Sequence, residues 1–273
     1  MSIASDWIRY GSAGEYSGYL AYPQRAPLPL PGIIVIQEAW GVDGYLQDVT
    51  ERLAKAGYAA FAPDLYARDG ARPPLLTVER IARLQAFVNE LPPGVWQDTA
   101  QREAALAALP EPARGELQAT HGAFTRAVAS DQHIHPLLAA ARYLREQQPA
   151  TRGQRIGSVG FCLGGGLSAR LAAEDPELRA AVIFYGASPS DEQVACVQAP
   201  LLGLYGERDP RINSGLAAFA AAAQRHGKSF EHHIYPGAQH AFFNGYRPSY
   251  DVAAARDAWV RVLGFFQQHL LAA

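Results

Sequence analysis

Five short segments of this 273-residue chain are apolar almost without interruption: "GIIVIQ" (32–37), "YAAFAPDL" (58–65), "RIGSVGF" (155–161), "AAVIFYG" (180–186) and "PLLGLYGE" (200–207). A strand with one face in water alternates apolar and polar residues, so runs without alternation predict strands buried on both faces. Helical patterns lie between them. "VDGYLQDVTERLAKAG" (42–57) spaces Tyr45, Leu46, Val49, Leu53 and Ala56 along one face, and Gly57 fits its end. Further helices are expected at 136–147, 163–175, 214–227 and 250–270. A hairpin is expected over 6–22, a proline-rich connector at 25–31 and a last strand at 229–235. Strands alternating with helices predict the α/β class, with a mostly parallel sheet covered on both faces.

Residues 68–130 break that rhythm. They are rich in Pro, Ala, Arg and Glu, with helical stretches near 77–90 and 98–109. They show no clear apolar core of their own, so they read as a helical excursion and pocket cover within one domain spanning 1–273.

The remaining composition narrows the function classes. Basic and acidic residues nearly balance, 24 against 26, and no basic run occurs, so neither a nucleic-acid nor a membrane partner is expected. With only two cysteines, Cys162 and Cys196, a disulfide framework is not expected and a reducing compartment fits better. The N-terminus lacks a basic and an apolar region of signal type, and no apolar run reaches membrane-spanning length. A cytoplasmic protein, monomeric or weakly dimeric, is expected. "HIH" (133–135) offers two histidines without a third ligand, and His232 and His233 should face opposite sides of a strand, so no metal site is expected. Cys196 falls in a loop-like stretch and reads as structural or incidental.

One turn carries the chemistry. In "VGFCLGGGLSAR" (159–170), Cys162 stands where a strand ends and a helix begins. A nucleophile on so sharp a turn needs small neighbours, and Gly160 and Gly164 supply the room. The helix N-terminus favours a thiolate there, and the Leu163 N–H is placed to bind an oxyanion. Walker-type and dinucleotide-binding glycine patterns are absent from this turn. A thiol nucleophile needs a base and a group to orient it. Asp209 follows one strand in "LLGLYGERDP", and His240 follows the last in "IYPGAQHAF". The order nucleophile, acid, histidine is that of the α/β-hydrolase layout. Taken alone, Asp209 reads equally as a helix cap and His240 as an ordinary loop residue. Glu38 ends an apolar strand, so burial should raise its proton affinity.

The motifs "VIQEAWGV" (35–42), "GYAAFAPDLYAR" (57–68), "GFCLGGG" (160–166), "YGERD" (205–209) and "GAQHAFFN" (237–244) together resemble the dienelactone hydrolase family. The resemblance runs from about Gly32 to the C-terminal helix and implies an α/β-hydrolase fold. It implies Cys162 as nucleophile, His240 as base, Asp209 as its orienter and Glu38 as a fourth functional residue, a carboxylate that takes up the thiol proton when substrate arrives. It also implies Ala39 N–H as the second oxyanion donor, beside Leu163, and Trp40 as a pocket wall. Two arginines hold the substrate carboxylate in the dienelactone enzymes. Arg83 matches one, with Arg80 close by; the other position is Asn244 here, with Arg247 the nearest arginine. Arg83 and Asn244 are therefore the expected substrate contacts, and the missing arginine puts dienelactone itself in question. The activity implied is hydrolysis of a small carboxylic ester or lactone through a thioester, with no cofactor. The same residues would also serve an amide or thioester hydrolase or an acyl transferase, and a weakly catalytic binding protein on this scaffold is the third reading.

Overall fold

The computed structural model describes residues 2–92, 94–96 and 98–271. The apolar runs become strands of one eight-stranded sheet: β1 (Ile3–Tyr10), β2 (Tyr16–Pro23), β3 (Gly32–Ile36), β4 (Ala59–Pro63), β5 (Ile156–Phe161), β6 (Ala180–Phe184), β7 (Leu201–Gly206) and β8 (Phe230–Tyr235). Their spatial order is β1-β2-β4-β3-β5-β6-β7-β8. β1 and β2 form the antiparallel hairpin, paired from Ile3↔Pro23 to Tyr10↔Tyr16, and β2 runs antiparallel to β4. Every later pairing is parallel.

Lack of alternation in the sequence translates into burial. All residues of β3, β4, β5, β6 and β7 are buried, whereas the edge strand β8 buries only Tyr235. Successive side chains go to opposite faces. Ile33 and Val35 of β3 join one core with Val49 and Leu53 of α1 (Gly44–Lys55) and with a helix at the C-terminus. Ile34 and Ile36 join a second core on the other face with Leu137, Leu171 and Phe219. Full burial of each such side chain is worth about 1.5–3 kcal/mol, so a polar residue within these strands is costly on either face. Asp43 opens α1 by accepting the Leu46 N–H at 3.0 Å, which fits the helix start read at 42.

Among its described residues the excursion holds three α-helices, α2 (Val78–Glu90), α3 (Thr99–Ala107) and α4 (Ala113–Val128). The first two match the helical stretches expected there; α4 was not foreseen. The segment also has an apolar cluster, contrary to expectation: Leu76, Ile81, Leu84 and Phe124 pack together with Tyr66, and Trp40 packs against them. Tyr66 and Trp40 come from loops of the sheet, so the cluster is completed by the body of the protein.

After the excursion come α5 (Ile134–Glu146), α6 (Leu163–Glu174), α7 (Asp191–Cys196), α8 (Pro210–Asn213), α9 (Leu216–Arg225) and α10 (Val252–Phe266). Cys196 thus ends a short helix and is not in a loop. Ser190 caps that helix reciprocally with Gln193. Among the described residues, no helix is long and apolar enough to cross a membrane.

Candidate active site

Parallel strands leave their loops at one edge of the sheet, and there the singled-out residues lie. Glu38 follows β3, Cys162 follows β5, Asp209 follows β7 and His240 follows β8.

Cys162 has a positive φ of 55° with ψ −111°, a conformation that costs a non-glycine residue about 1–3 kcal/mol. Packing holds it there. Its N–H donates to the Phe184 carbonyl at 3.0 Å, and its own carbonyl accepts the Gly165 N–H at 3.0 Å. The flanking glycines are required by close approach. A Cβ on Gly160 would fall within the Gly164 carbonyl, and one on Gly164 would fall within the Ile36 carbonyl. The turn therefore presses the start of α6 onto β3 and β5 and lifts the thiol to the cavity.

Asp209 serves both of its readings. One carboxylate oxygen caps α8 by accepting the Ile212 N–H at 3.4 Å; the other accepts a short hydrogen bond from His240 Nδ1. The loops after β7 and β8 are tied together, since Arg208 N–H donates to the Ala238 carbonyl at 2.9 Å and Gly237 N–H donates to Glu207 Oε2 at 2.8 Å. That tie sets the histidine beside the acid. Burial alone would lower the His240 pKa. The hydrogen bonds to Asp209 and Cys162, and the negative charge of both partners, override burial and push it up to about 10. Cys162, His240 and Glu38 line one cavity of about 450 Å³.

Glu38 is 5% exposed, and burial raises its pKa, only partly countered by the Arg247 charge. Its Oε1 accepts from Tyr185 Oη at 3.4 Å and its Oε2 from Asn244 Nδ2 at 3.1 Å. Tyr185 is fully buried, and its ring stands 5.1 Å from that of His240. Ala39 and Trp40 both line the cavity. The Ala39 carbonyl accepts from Tyr66 Oη at 2.5 Å, which pins the loop carrying the expected oxyanion donor. Tyr66 N–H in turn donates to Asp64, which pairs with Arg72 at 2.5 Å.

Two expected substrate contacts are placed elsewhere. Asn244 is 1% exposed and sits behind Glu38, its amide donating to that carboxylate and its carbonyl oxygen accepting the Tyr246 N–H at 3.0 Å. It fixes Glu38 and does not line the cavity. Arg83 is 64% exposed and paired with Glu116 at 2.6 Å, on the outer side of α2. Arg80 bonds Thr120 Oγ1 and the Glu116 carbonyl, tying α2 to α4. The arginine that does line the cavity is Arg247, 5.1 Å over the Trp40 ring and donating to Asn89 Oδ1 at 2.8 Å. Sequence reasoning gave Tyr185 and Tyr66 no role. Each directly follows a strand or its first loop residues, the placement that marked the catalytic candidates.

Among the described residues no group of three or more potential metal-binding side chains occurs. His133 is buried and donates Nε2–H to the Ala127 carbonyl at 2.8 Å, closing the end of α4.

Known proteins place this geometry. The model of the dienelactone hydrolase family matches residues 16–270. A Saccharolobus solfataricus protein named for carboxymethylenebutenolidase activity is 36% identical over 263 residues, covering 96% of this chain and 97% of that one. A Bradyrhizobium protein named for 2-oxo-3-(5-oxofuran-2-ylidene)propanoate lactonase activity is 35% identical over 284 residues, covering 98% and 96%. A Klebsiella pneumoniae crystal structure, titled as a dienelactone hydrolase, superposes with a TM-score of 0.67 at 28% identity, covering 98% of this chain and all of that one.

Proposed function

The chain belongs to the dienelactone hydrolase family, with the α/β-hydrolase fold and the carboxylic ester and lactone hydrolase activity of that family, and on that premise we propose that it cleaves small esters or lactones through a thioester on Cys162. The observation that supports this most is that Cys162 and His240, from two different strand ends, line one cavity while Asp209, from a third, holds the His240 ring. Residues 68–130 act as the cover of that cavity, to which Val88 and Trp96 contribute walls, within a single domain.

The sulfur of Cys162 attacks the carbonyl carbon, and the carbonyl π electrons move to oxygen. The N–H groups of Leu163 and Ala39 hold that oxyanion, each worth about 2.7–4 kcal/mol in the transition state. His240, which holds a proton at neutral pH, gives it to the leaving alkoxide as the C–O bond breaks. The neutral imidazole then takes a proton from water, hydroxide adds to the thioester, and sulfur leaves as the acid product forms. Asp209 keeps the ring oriented throughout. Glu38, held by Tyr185 and Asn244, takes the thiol proton as the sulfur attacks and returns it to the thiolate once the acid product has left.

Hydrolysis of p-nitrophenyl acetate by the Cys162→Ala variant tests this. Turnover falling to background, with unchanged circular dichroism, is the expected result. Turnover at the wild-type rate would overturn the assignment.

A further inference from the structure

A second cavity, of about 370 Å³, meets the first at Cys162 and Ala39. Different elements wall the two. The first carries His240 and its loop, with Trp40, Trp96 and Arg247. The second lies among α6, α8 and the loop after β6, and His240 is not part of its lining. This division assigns the two halves of an ester. The leaving oxygen must come within hydrogen-bond reach of His240 to be protonated, so the alcohol portion occupies the first lobe. The oxyanion rests on the Leu163 and Ala39 amides, and both residues also wall the second lobe. The substituent on the acyl carbon therefore enters that lobe.

Its lining defines what it accepts. Val128, Leu167, Pro189 and Ile212 make an apolar slot. One charged side chain in it has no ion-pair partner among the described residues. Arg211, at the exposed end, has no ion pair, whereas Arg170 beside it is neutralised by Glu174 at 2.7 Å. Among the described residues, no carboxylate side chain lines the lobe. An unpaired guanidinium matches a carboxylate in geometry and charge.

We propose that this second lobe is the acyl subsite and that it takes an acyl chain ending in a carboxylate, bound by Arg211. The substrate class is a half-ester, or a lactone whose acyl side carries a terminal acid. The proposal rests on Cys162 as nucleophile.

The test compares mono-p-nitrophenyl glutarate with p-nitrophenyl butyrate, so that only the acyl end differs. The wild type is expected to favour the glutarate ester in kcat/KM. Arg211→Ala should lower the glutarate-to-butyrate ratio at least tenfold, chiefly through KM, and Arg211→Lys should restore part of it. Arg179→Ala removes the same charge at the opposite edge of the sheet, before β6, and should leave the ratio unchanged. A wild-type ratio that Arg211→Ala does not change, or that Arg179→Ala lowers equally, overturns the subsite. Activity of Cys162→Ala on both esters would instead overturn the nucleophile, so the two failures are distinct.

Discussion

Replacing Asp209 with asparagine removes the charge that keeps a proton on His240 while preserving the shape of the site. Raising an imidazole from 6.5 to about 10 corresponds to about 5 kcal/mol of preference for its charged form. Asp209 and Cys162 supply that preference against the opposing effect of burial. If Asp209 provides half of it, ~2–3 kcal/mol, the variant's ring should titrate about two pH units lower. The proton is needed on the leaving alkoxide, and the same substitution in a serine triad costs about 10⁴ in kcat; a loss of about 10³–10⁴ in kcat/KM is expected here. The sign also fixes a stability window. A histidine whose folded pKa is raised stabilises the fold fully below its unfolded value of 6.5, and that contribution is lost as pH rises through about 10. Wild-type Tm should therefore fall relative to Asp209→Asn across that interval. NMR titration of the His240 ring, with kcat/KM measured in parallel, provides the assay. A wild-type ring titrating near 6.5, or one that the substitution leaves in place, would refute the reasoning.

Glu38→Gln should gain stability over wild type as pH rises from about 4.5, because burial raises the folded pKa of Glu38 and ionising it costs the native state; a Tm difference independent of pH would contradict this. Gly164→Ala forces a methyl into the Ile36 carbonyl and should cost more than about 3 kcal/mol, seen as a large fall in Tm; a fall of a degree or two would mean the turn relaxes freely. Cys162→Ser should keep the wild-type Tm and lose most esterase activity at neutral pH, since a serine hydroxyl is far less acidic than a thiol and gives its proton to His240 or Glu38 much less readily. A fully active serine variant would refute that.

What the sequence showed, and what it did not, follows from where the signal resides. The strands from β3 to β7 were legible because burial on both faces leaves almost no polar residue to blur a run; Ser158 of β5, paired with Ser168, is the exception. Cys162, Asp209 and His240 were legible because a strand end is a local feature and three of them in order restrict the fold. α4 was hidden because only Thr120 and Phe124 of its sixteen residues are buried, too few to make a stripe. α7 has a readable signal, the Ser190-x-x-Gln193 capping box, ahead of a helix too short for periodicity. Asn244 lies elsewhere than the resemblance implied for a different reason. The resemblance set residue 244 against the substrate, yet the turn from Ala241, with φ 61°, buries it against Glu38 and leaves Arg247 to reach the cavity. Which residue of such a turn points inward depends on backbone dihedrals that the residue types alone do not encode.

The thioester itself offers the most direct measurement. Mixing the protein with a slowly deacylated p-nitrophenyl ester, quenching in acid and mapping peptides by mass spectrometry should show the acyl mass on the peptide containing Cys162. The adduct should form and decay at rates that account for kcat, and hydroxylamine should remove it. An acyl group found on Ser188 or Cys196 with Cys162 unmodified, or steady turnover with no acyl-enzyme at all, would contradict the account.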